Sequence, residues 1–456
     1  MTDNRFLEYI SKVKNIVSEK DTPPMAHIRS YGCQQNVNDG ERIAGMLSAM
    51  GYGITSDTAS ADLIILNTCA VRENAETKVF GNIGEIKHLK EKNPALIVGV
   101  CGCMSQQKHI AEKITEKFRF VDMVFGTFAE KELPRLLYEV LTEKKHVTDI
   151  SETAGDIPEE TGTVRSCSYK AGVPIMYGCN NFCSYCIVPY VRGRERSRSP
   201  ENILDEIRTL AADGCREIML LGQNVNSYNG GISFEELLRR IDRIDGDFRV
   251  RFMSPHPKDV TEELIDVIAG CDKICKHIHL PLQSGSDRIL KQMNRRYTAE
   301  EYLKKVEYAR KVMPGFSITT DIIVGFPNES EADFEQTLDI LKIVKYDNIY
   351  SFIYSKRNGT KAAMIEDSVS DEEKGIRFRR MLEMQREIST EHYRRFIGKT
   401  FRVLFDGESR RDGMISGKSD EFIITEAAGD SSLFGSFRDV KITGSHNWAV
   451  DGEIIL

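Results

Sequence analysis

Hydrophobic and polar positions follow two periods over residues 25–142. His27-Ile28-Arg29-Ser30-Tyr31 and the nearly continuous apolar runs at 63–66 and 95–100 read as strands. Between the first two, Ile43, Met46, Leu47 and Met50 fall at i, i+3, i+4 and i+7, one face of a helix. A second helical stretch extends over about 73–90. The βαβαβ order predicts a parallel sheet with right-handed crossovers, so that the strand C-termini share one edge. Residues 1–25 show no comparable run and read as a polar leader.

The pattern breaks over 143–164, where Ser151-Glu152-Thr153-Ala154-Gly155-Asp156-Ile157-Pro158 has neither a helical nor a strand period, and the stretch reads as a linker. Over 165–394 strand-like and helix-like segments alternate six times. The strands lie near 173–177, 217–221, 249–253, 277–280, 317–324 and 349–354. Six such units are too few for a closed eightfold barrel and suit an incomplete (βα)6 barrel with its site at the strand C-termini. From 395 to 456 short apolar runs such as Phe401-Arg402-Val403-Leu404-Phe405 are separated by Gly and Asp turns, the pattern of a small all-β barrel. The expected fold class is α/β, with a parallel α/β domain over 25–142 followed by these two.

A length of 456 residues agrees with two or three domains. Charged residues at 29% and hydrophobic ones at 41% fit a folded chain and exclude a disordered or collagen-like one. No window approaches ~18 consecutive apolar residues, and the N-terminus lacks a signal-peptide pattern, so the expectation is a cytoplasmic protein without a membrane partner. The net charge of −7 gives no global footprint for nucleic acid. The densest basic patch, Arg192-Gly193-Arg194-Glu195-Arg196-Ser197-Arg198, is either a solvated face or a local contact to nucleic-acid phosphate.

The 11 cysteines change the picture. A reducing compartment disfavours disulfides and leaves metal ligation to compete with ordinary burial. Cys33, Cys69 and Cys103 each follow one of the first three strands at intervals of 36 and 34 residues, one βα unit each, so the shared sheet edge brings them together. After the first barrel strand comes Cys179-Asn180-Asn181-Phe182-Cys183-Ser184-Tyr185-Cys186, a C-x3-C-x2-C loop. Three thiolates at this spacing suit a cubane cluster with one iron left open; zinc, which usually takes four protein ligands, finds no fourth Cys or His nearby. Cys167, Cys215, Cys271 and Cys275 lack partners at ligand spacing and read as core thiols, while Cys101 stays undecided.

C-x3-C-x2-C with an aromatic before the last Cys resembles the radical S-adenosylmethionine (SAM) enzymes. The whole chain is similar to the methylthiotransferases among them: Gly32-Cys33, Asn67-Thr68-Cys69 and Gly102-Cys103-Met104 in the first domain, the cluster loop in the barrel, and a TRAM-like β domain at the end. Val71-Arg72-Glu73 and Leu221-Gly222-Gln223-Asn224-Val225-Asn226-Ser227-Tyr228 resemble most the MiaB-type tRNA branch. The resemblance implies two 4Fe-4S clusters, one on Cys179, Cys183 and Cys186 that binds and reductively cleaves SAM, the other on Cys33, Cys69 and Cys103 that delivers a methylated sulfur. It implies two SAM per turnover, a tRNA carrying isopentenyl-adenosine next to the anticodon as substrate, and a one-electron donor such as a flavodoxin or ferredoxin. No catalytic residue beyond the cluster ligands is implied. Two alternatives stay open: the branch acting on threonylcarbamoyl-adenosine, and a non-catalytic metal-containing RNA-binding protein.

Further candidates lie at barrel strand ends. By the resemblance the Tyr185 backbone lies against the SAM adenine, and Gly222-Gln223 match the place where the superfamily binds the SAM amino group. Gln283 is a candidate SAM or substrate contact, and backbone groups at Gly325 could meet adenine; a structural turn is the alternative for both. His277 and His279 alternate with apolar residues, which predicts that at least one faces the packed interior. The C-terminal domain, with 9 Lys/Arg against 10 Asp/Glu over 393–456, carries no basic excess for RNA.

Overall fold

A computed structural model describes residues 4–70, 73–153, 155 and 162–455, of which 73–77 by backbone alone. Val71 and Arg72 of the motif after Asn67-Thr68-Cys69 lie outside the described residues, as does 156–161 of the expected linker. The chain divides into two compact units, the first comprising 1–166, 177–180 and 186–196, the second 167–176, 181–185 and 197–456.

The first unit is built on an all-parallel sheet in the order Gly53–Ile54, Met25–Ser30, Leu63–Thr68, Ile97–Gly102, Met123–Phe125, Val147–Asp149. Helices cover both faces, which is why Leu63–Thr68 is buried at every position. Its side chains alternate between two cores. Leu63 and Ile65 pack with Ile43, Leu47, Leu133 and Leu137, whereas Ile64 and Leu66 pack with Val79, Ile83, Ile110 and Ile114. Each such side chain contributes roughly 1.5–3 kcal/mol on burial.

Two elements depart from expectation. The supposed leader forms a helix, Asn4–Ser18, in which Val13 and Val17 are buried in the core that holds Ile43 and Leu47. Phe6, Ile10, Val13 and Val17, spaced 4, 3 and 4 residues apart, make one stripe that the surrounding polar residues conceal. Inside the expected linker, Val147–Asp149 adds a strand to the sheet edge, paired through Val147 N to Asp122 O at 2.9 Å and Gly126 N to Asp149 O at 3.0 Å. Three residues are too few to show a period.

The second unit carries the six expected barrel strands as two parallel triplets. One runs Arg249–Phe252, Glu217–Leu221, Lys170–Pro174; the other runs His277–His279, Ser317–Val324, Asn348–Ile353. A single bridge between Val250 and Ile274 joins them. Among the described residues nothing pairs Lys170–Pro174 with Asn348–Ile353, so the barrel stays open. The C-terminal segment closes a five-stranded barrel in the order Thr400–Glu408, Met414–Ser419, Ile424–Ala428, Ala449–Ile454, Phe437–Ser445 around Phe401, Val403, Phe405, Val440 and Val450. The fold is the expected mixed α/β class with a TRAM-like barrel at its end. No helix among the described residues is long and apolar enough to cross a membrane.

Charge fixes the small barrel to the N-terminal ends of the strands in the larger one. Glu217 Oε2 accepts from Nε of Arg249 at 2.9 Å and Nε of Arg251 at 2.8 Å, while Arg249 Nη1 reaches Asp420 Oδ1 at 2.9 Å and its Nη2 reaches Lys418 O at 3.0 Å. Phe422, in the same turn, stacks on the buried His277 with ring centroids 4.6 Å apart. Burial alone would push the Glu217 carboxyl up, but Arg251 and Arg249 outweigh it and hold it at about 2. A carboxylate depressed in this way stabilises fully above the unfolded value near 4.5 and loses that contribution as pH falls toward 2. Glu217→Gln is expected to cost about 3–5 kcal/mol by leaving two buried guanidiniums undercompensated, read as a lower urea midpoint at pH 7. The gap between wild type and variant should narrow as pH drops from 4.5 toward 2.

Candidate metal centres

In the first unit Cys33, Cys69 and Cys103 stand where the three adjacent strands Met25–Ser30, Leu63–Thr68 and Ile97–Gly102 end. Cys33 occupies the N-cap of the helix Gln34–Ala49. One amide lies between the sulfurs: Asn36 Oδ1 is 3.7 Å from Sγ of Cys33 and 3.7 Å from Sγ of Cys103. The loops are tied together around it, because Asn36 Nδ2 donates to Thr68 O at 2.8 Å and Asn67 Nδ2 donates to Asn36 O at 2.7 Å. Two glycines allow the close approach. Gly32 has φ +105°, and a Cβ there would stand 2.3 Å from Cβ of Cys69; Gly102 has φ +97°, and a Cβ there would stand 2.4 Å from Asn67 Oδ1.

The environment treats these thiols unequally. A hydrogen bond with Cys69 lowers the exposed Cys33 thiol to about 6, with a further contribution from Arg192. Burial pushes Cys103 up to about 11, opposed by the same arginine. Arg192 is itself buried, with Nε 3.0 Å from Cys103 Sγ, and Nη2 2.8 Å from Asn36 Oδ1 and 2.6 Å from Asp39 Oδ2. This polar set, Asn36, Asp39 and Arg192, was not foreseen from sequence. Its signal is that Gln35, Asn36, Asn38 and Asp39 occupy the first turns of a helix judged by its apolar stripe, yet all four are buried.

Cys101, undecided from sequence, is buried among Leu63, Ile65, Met123 and Phe125. It lies within the strand Ile97–Gly102, whereas Cys103 follows the end of that strand, and burial raises the Cys101 thiol well above the ordinary value. Cys215, Cys271 and Cys275 are buried as expected, whereas Cys167 is half-buried.

The C-x3-C-x2-C loop is anchored from several sides. Gly178, at φ +79°, precedes Cys179, and a Cβ there would stand 2.1 Å from Arg194 O; Cys179 N donates to Gly193 O at 3.1 Å. Within the second unit Asn294 Nδ2 donates to the carbonyls of Asn181 and Phe182, each at 3.0 Å, and Ser184 N donates to Met293 O at 3.0 Å. Arg295 Nη1 lies 3.4 Å from Cys183 Sγ. Among the described residues no three His, Cys, Asp or Glu side chains close on a point as ligands to one metal ion. What the residues do offer is thiol donors at strand ends and in one loop, each set with an arginine hydrogen-bonded to a sulfur, the donor chemistry of iron–sulfur ligation.

The SAM candidates fall out differently. Tyr185 packs beside Ile289, Met293 and Phe326, and Gly222 approaches Met176 so closely that a Cβ would stand 2.7 Å from its Cγ. Gln223 beside it is half-buried. Gln283 is buried at φ +70°, its backbone paired with Asp321 O at 2.8 Å and Ile323 N at 3.0 Å. The Gly325 N–H is taken by Glu329 Oε2 at 2.8 Å, and a Cβ at 325 would meet Lys374. Both His277 and His279 are buried, each 2.9 Å from Thr319 Oγ1. The arginine run is not one surface patch. Arg192 is consumed as above and Arg198 binds Pro174 O at 2.7 Å and Glu206 at 2.8 Å, leaving Arg194 as the exposed member.

Comparison with known proteins agrees with this layout. Residues 173–341 match the Radical SAM superfamily, and 25–126 match the Uncharacterized protein family UPF0004. The tRNA-2-methylthio-N(6)-dimethylallyladenosine synthase of Caldicellulosiruptor saccharolyticus is 49% identical, covering 100% of this chain and 98% of that protein. The enzyme of the same name from Thermoanaerobacter pseudethanolicus is 48% identical over 94% and 92%. The chain belongs to this family of radical SAM methylthiotransferases. As a member it uses SAM and 4Fe-4S clusters. At the level of fold alone it is similar to the radical SAM methyltransferase TsrM of Kitasatospora setae, with TM-score 0.56, 15% identity and 75% of each chain covered.

Gly32→Ala tests the close approach directly. The new methyl group collides with Cys69 while forcing φ +105° on an L-residue, and the variant is expected to lose about 1–3 kcal/mol in urea unfolding.

Proposed function

We propose that this protein inserts a methylthio group at carbon 2 of isopentenyl-adenosine next to the anticodon of tRNA. The observation that carries the reading is the coexistence of a C-x3-C-x2-C loop with a second cysteine triplet at three adjacent parallel strand ends, in a chain whose full-length relatives bear that enzyme's name. Cys179, Cys183 and Cys186 hold the SAM-binding cluster, and Cys33, Cys69 and Cys103 hold the second. Tyr185, Gly222, Gln223, Gln283 and Gly325 are the proposed SAM contacts, with the Gly325 contribution falling to its carbonyl, since its N–H already binds Glu329. The domains are taken as 25–142, 165–394 and 395–456, joined by 143–164.

An aromatic C–H at that position has no acidic proton for a side-chain base to remove, so the bound clusters and SAM supply one-electron chemistry and the sulfur. The chain's own residues position and exclude water. Gly178, Asn294 and Met293 fix the cysteine loop in shape, and Asn36 spans two of the strand-end thiols. The electron comes from a flavodoxin or ferredoxin, and the protein works in the cytoplasm.

Incubation of the reconstituted protein with SAM, reductant and tRNA from a methylthio-deficient strain, followed by nucleoside mass analysis, tests the substrate. Methylthiolation of threonylcarbamoyl-adenosine with isopentenyl-adenosine untouched would sink the reading. Cys183→Ala is expected to abolish both 5′-deoxyadenosine formation and methylthio product. Cys33→Ala should keep SAM cleavage and lose the product by more than about a hundredfold; methylthio product at the wild-type level from Cys33→Ala would remove that cysteine from the ligand set.

A further inference from the structure

Seven arginines are buried among the described residues. Six pair with a carboxylate: Arg42 with Glu130, Arg192 with Asp39, Arg198 with Glu206, Arg249 and Arg251 with Glu217, and Arg377 with Glu329. Arg295, 5% exposed, has no carboxylate within ion-pair distance among the described residues. Its Nε donates to Tyr297 Oη at 3.0 Å, its Nη2 to Pro281 O at 2.9 Å, and its Nη1 to Cys183 Sγ at 3.4 Å. A buried guanidinium facing only neutral dipoles is expensive, so it marks a place where negative charge is expected. The phenol and the carbonyl are neutral acceptors. The sulfur is the group that becomes anionic when it ligates iron.

The backbone around Arg295 is shaped for this contact. Asn294 and Arg296, on either side, both adopt the left-handed region, at φ +60° and +57°. Such conformations in non-glycine residues persist where surrounding contacts over-determine them. Here the contacts are the Asn294 amide on Asn181 O and Phe182 O and the Met293 carbonyl on Ser184 N, all on the loop that carries Cys183.

In the first unit Arg192 makes the corresponding contact independently, with Nε 3.0 Å from Cys103 Sγ. It differs in that Asp39 Oδ2, 2.6 Å away, already offsets its charge.

We propose that Arg295 and Arg192 are positioning residues that each hydrogen-bond one ligand thiolate and set the reduction potential of the cluster it belongs to. The inference rests on the ligand assignment above. Taking up one electron adds one negative charge to a cluster and its thiolates, and a guanidinium N–H on a ligand sulfur favours the reduced form. Because Arg295 brings an uncompensated positive charge and Arg192 a compensated one, the effect is larger at Cys183 than at Cys103.

The test uses the full-length chain, anaerobically reconstituted, with iron and sulfide counted and the midpoint of each cluster followed by spin resonance in a titanium citrate titration. Loss of one signal in Cys33→Ala and of the other in Cys183→Ala assigns the two clusters. Arg295→Met is expected to retain iron and to lower the reduced-to-oxidised ratio of the Cys183 cluster about tenfold at fixed poise, the size that loss of one charged hydrogen bond carries. The Cys103 cluster should not move. Arg192→Met should shift the Cys103 cluster alone, and by less. Arg295→Lys, which keeps the charge without the planar fork, should fall between wild type and Arg295→Met. Full iron with an unmoved midpoint in Arg295→Met overturns the proposal, as does a shift in Arg192→Met larger than that in Arg295→Met. If Arg295→Met sheds iron while remaining folded, recovery of the cluster in Arg295→Lys supports the role of charge; failure to recover overturns it, since shape alone is then required. A wild-type chain that takes up no iron at the loop triplet would overturn the ligand assignment instead.

Discussion

Thiols some 35 residues apart can serve one cluster only if the chain returns each of them to the same place, and parallel strands ending side by side do this. Met25–Ser30, Leu63–Thr68 and Ile97–Gly102 are neighbours in the sheet, and each hands a cysteine to the common edge. The continuous burial of Leu63–Thr68 between two helical layers follows from the same requirement, since a parallel sheet needs crossovers that cover both faces. Gly32 and Gly102 are the local consequence: the chain turns so sharply at the edge that a side chain at either position would occupy its neighbour's space.

Buried charge is used in two ways. At Glu217, Arg249, Arg251 and Asp420 opposite charges meet in full, and the result is a fixed junction between the open barrel and the small one. Around the cysteines the pairing is deliberately incomplete. Asp39 balances Arg192, but Arg295 has only neutral acceptors and a sulfur. An unbalanced cation in a dry interior is a statement about what binds there, because folding would otherwise have selected against it.

Much of the architecture was legible along the chain. The strand 217–221 and the strand 317–324 appear in the structure with the bounds read from the sequence, because apolar and β-branched residues dominate both. The helix Asn4–Ser18 was hidden because two buried valines and two half-covered residues carry its packing while the rest of it is polar. Val147–Asp149 was hidden by its length. The arginine run looked like one basic patch in sequence, where residue type is visible and direction is not; Arg192 and Arg198 turn inward.

The sequence by itself determined which residues could ligate iron, since C-x3-C-x2-C confines its sulfurs to one loop whatever the surroundings, and a cysteine after each of three strands follows from counting βα units. It also determined the fold class, because period and run length encode which faces are buried. Only the tertiary structure decided what stands next to those sulfurs. Arg192 is 89 residues from Cys103 and Arg295 is 112 from Cys183, and no local period or spacing relates such pairs. Their meeting depends on where strands and turns end in space, and so does the charge balance at each thiol.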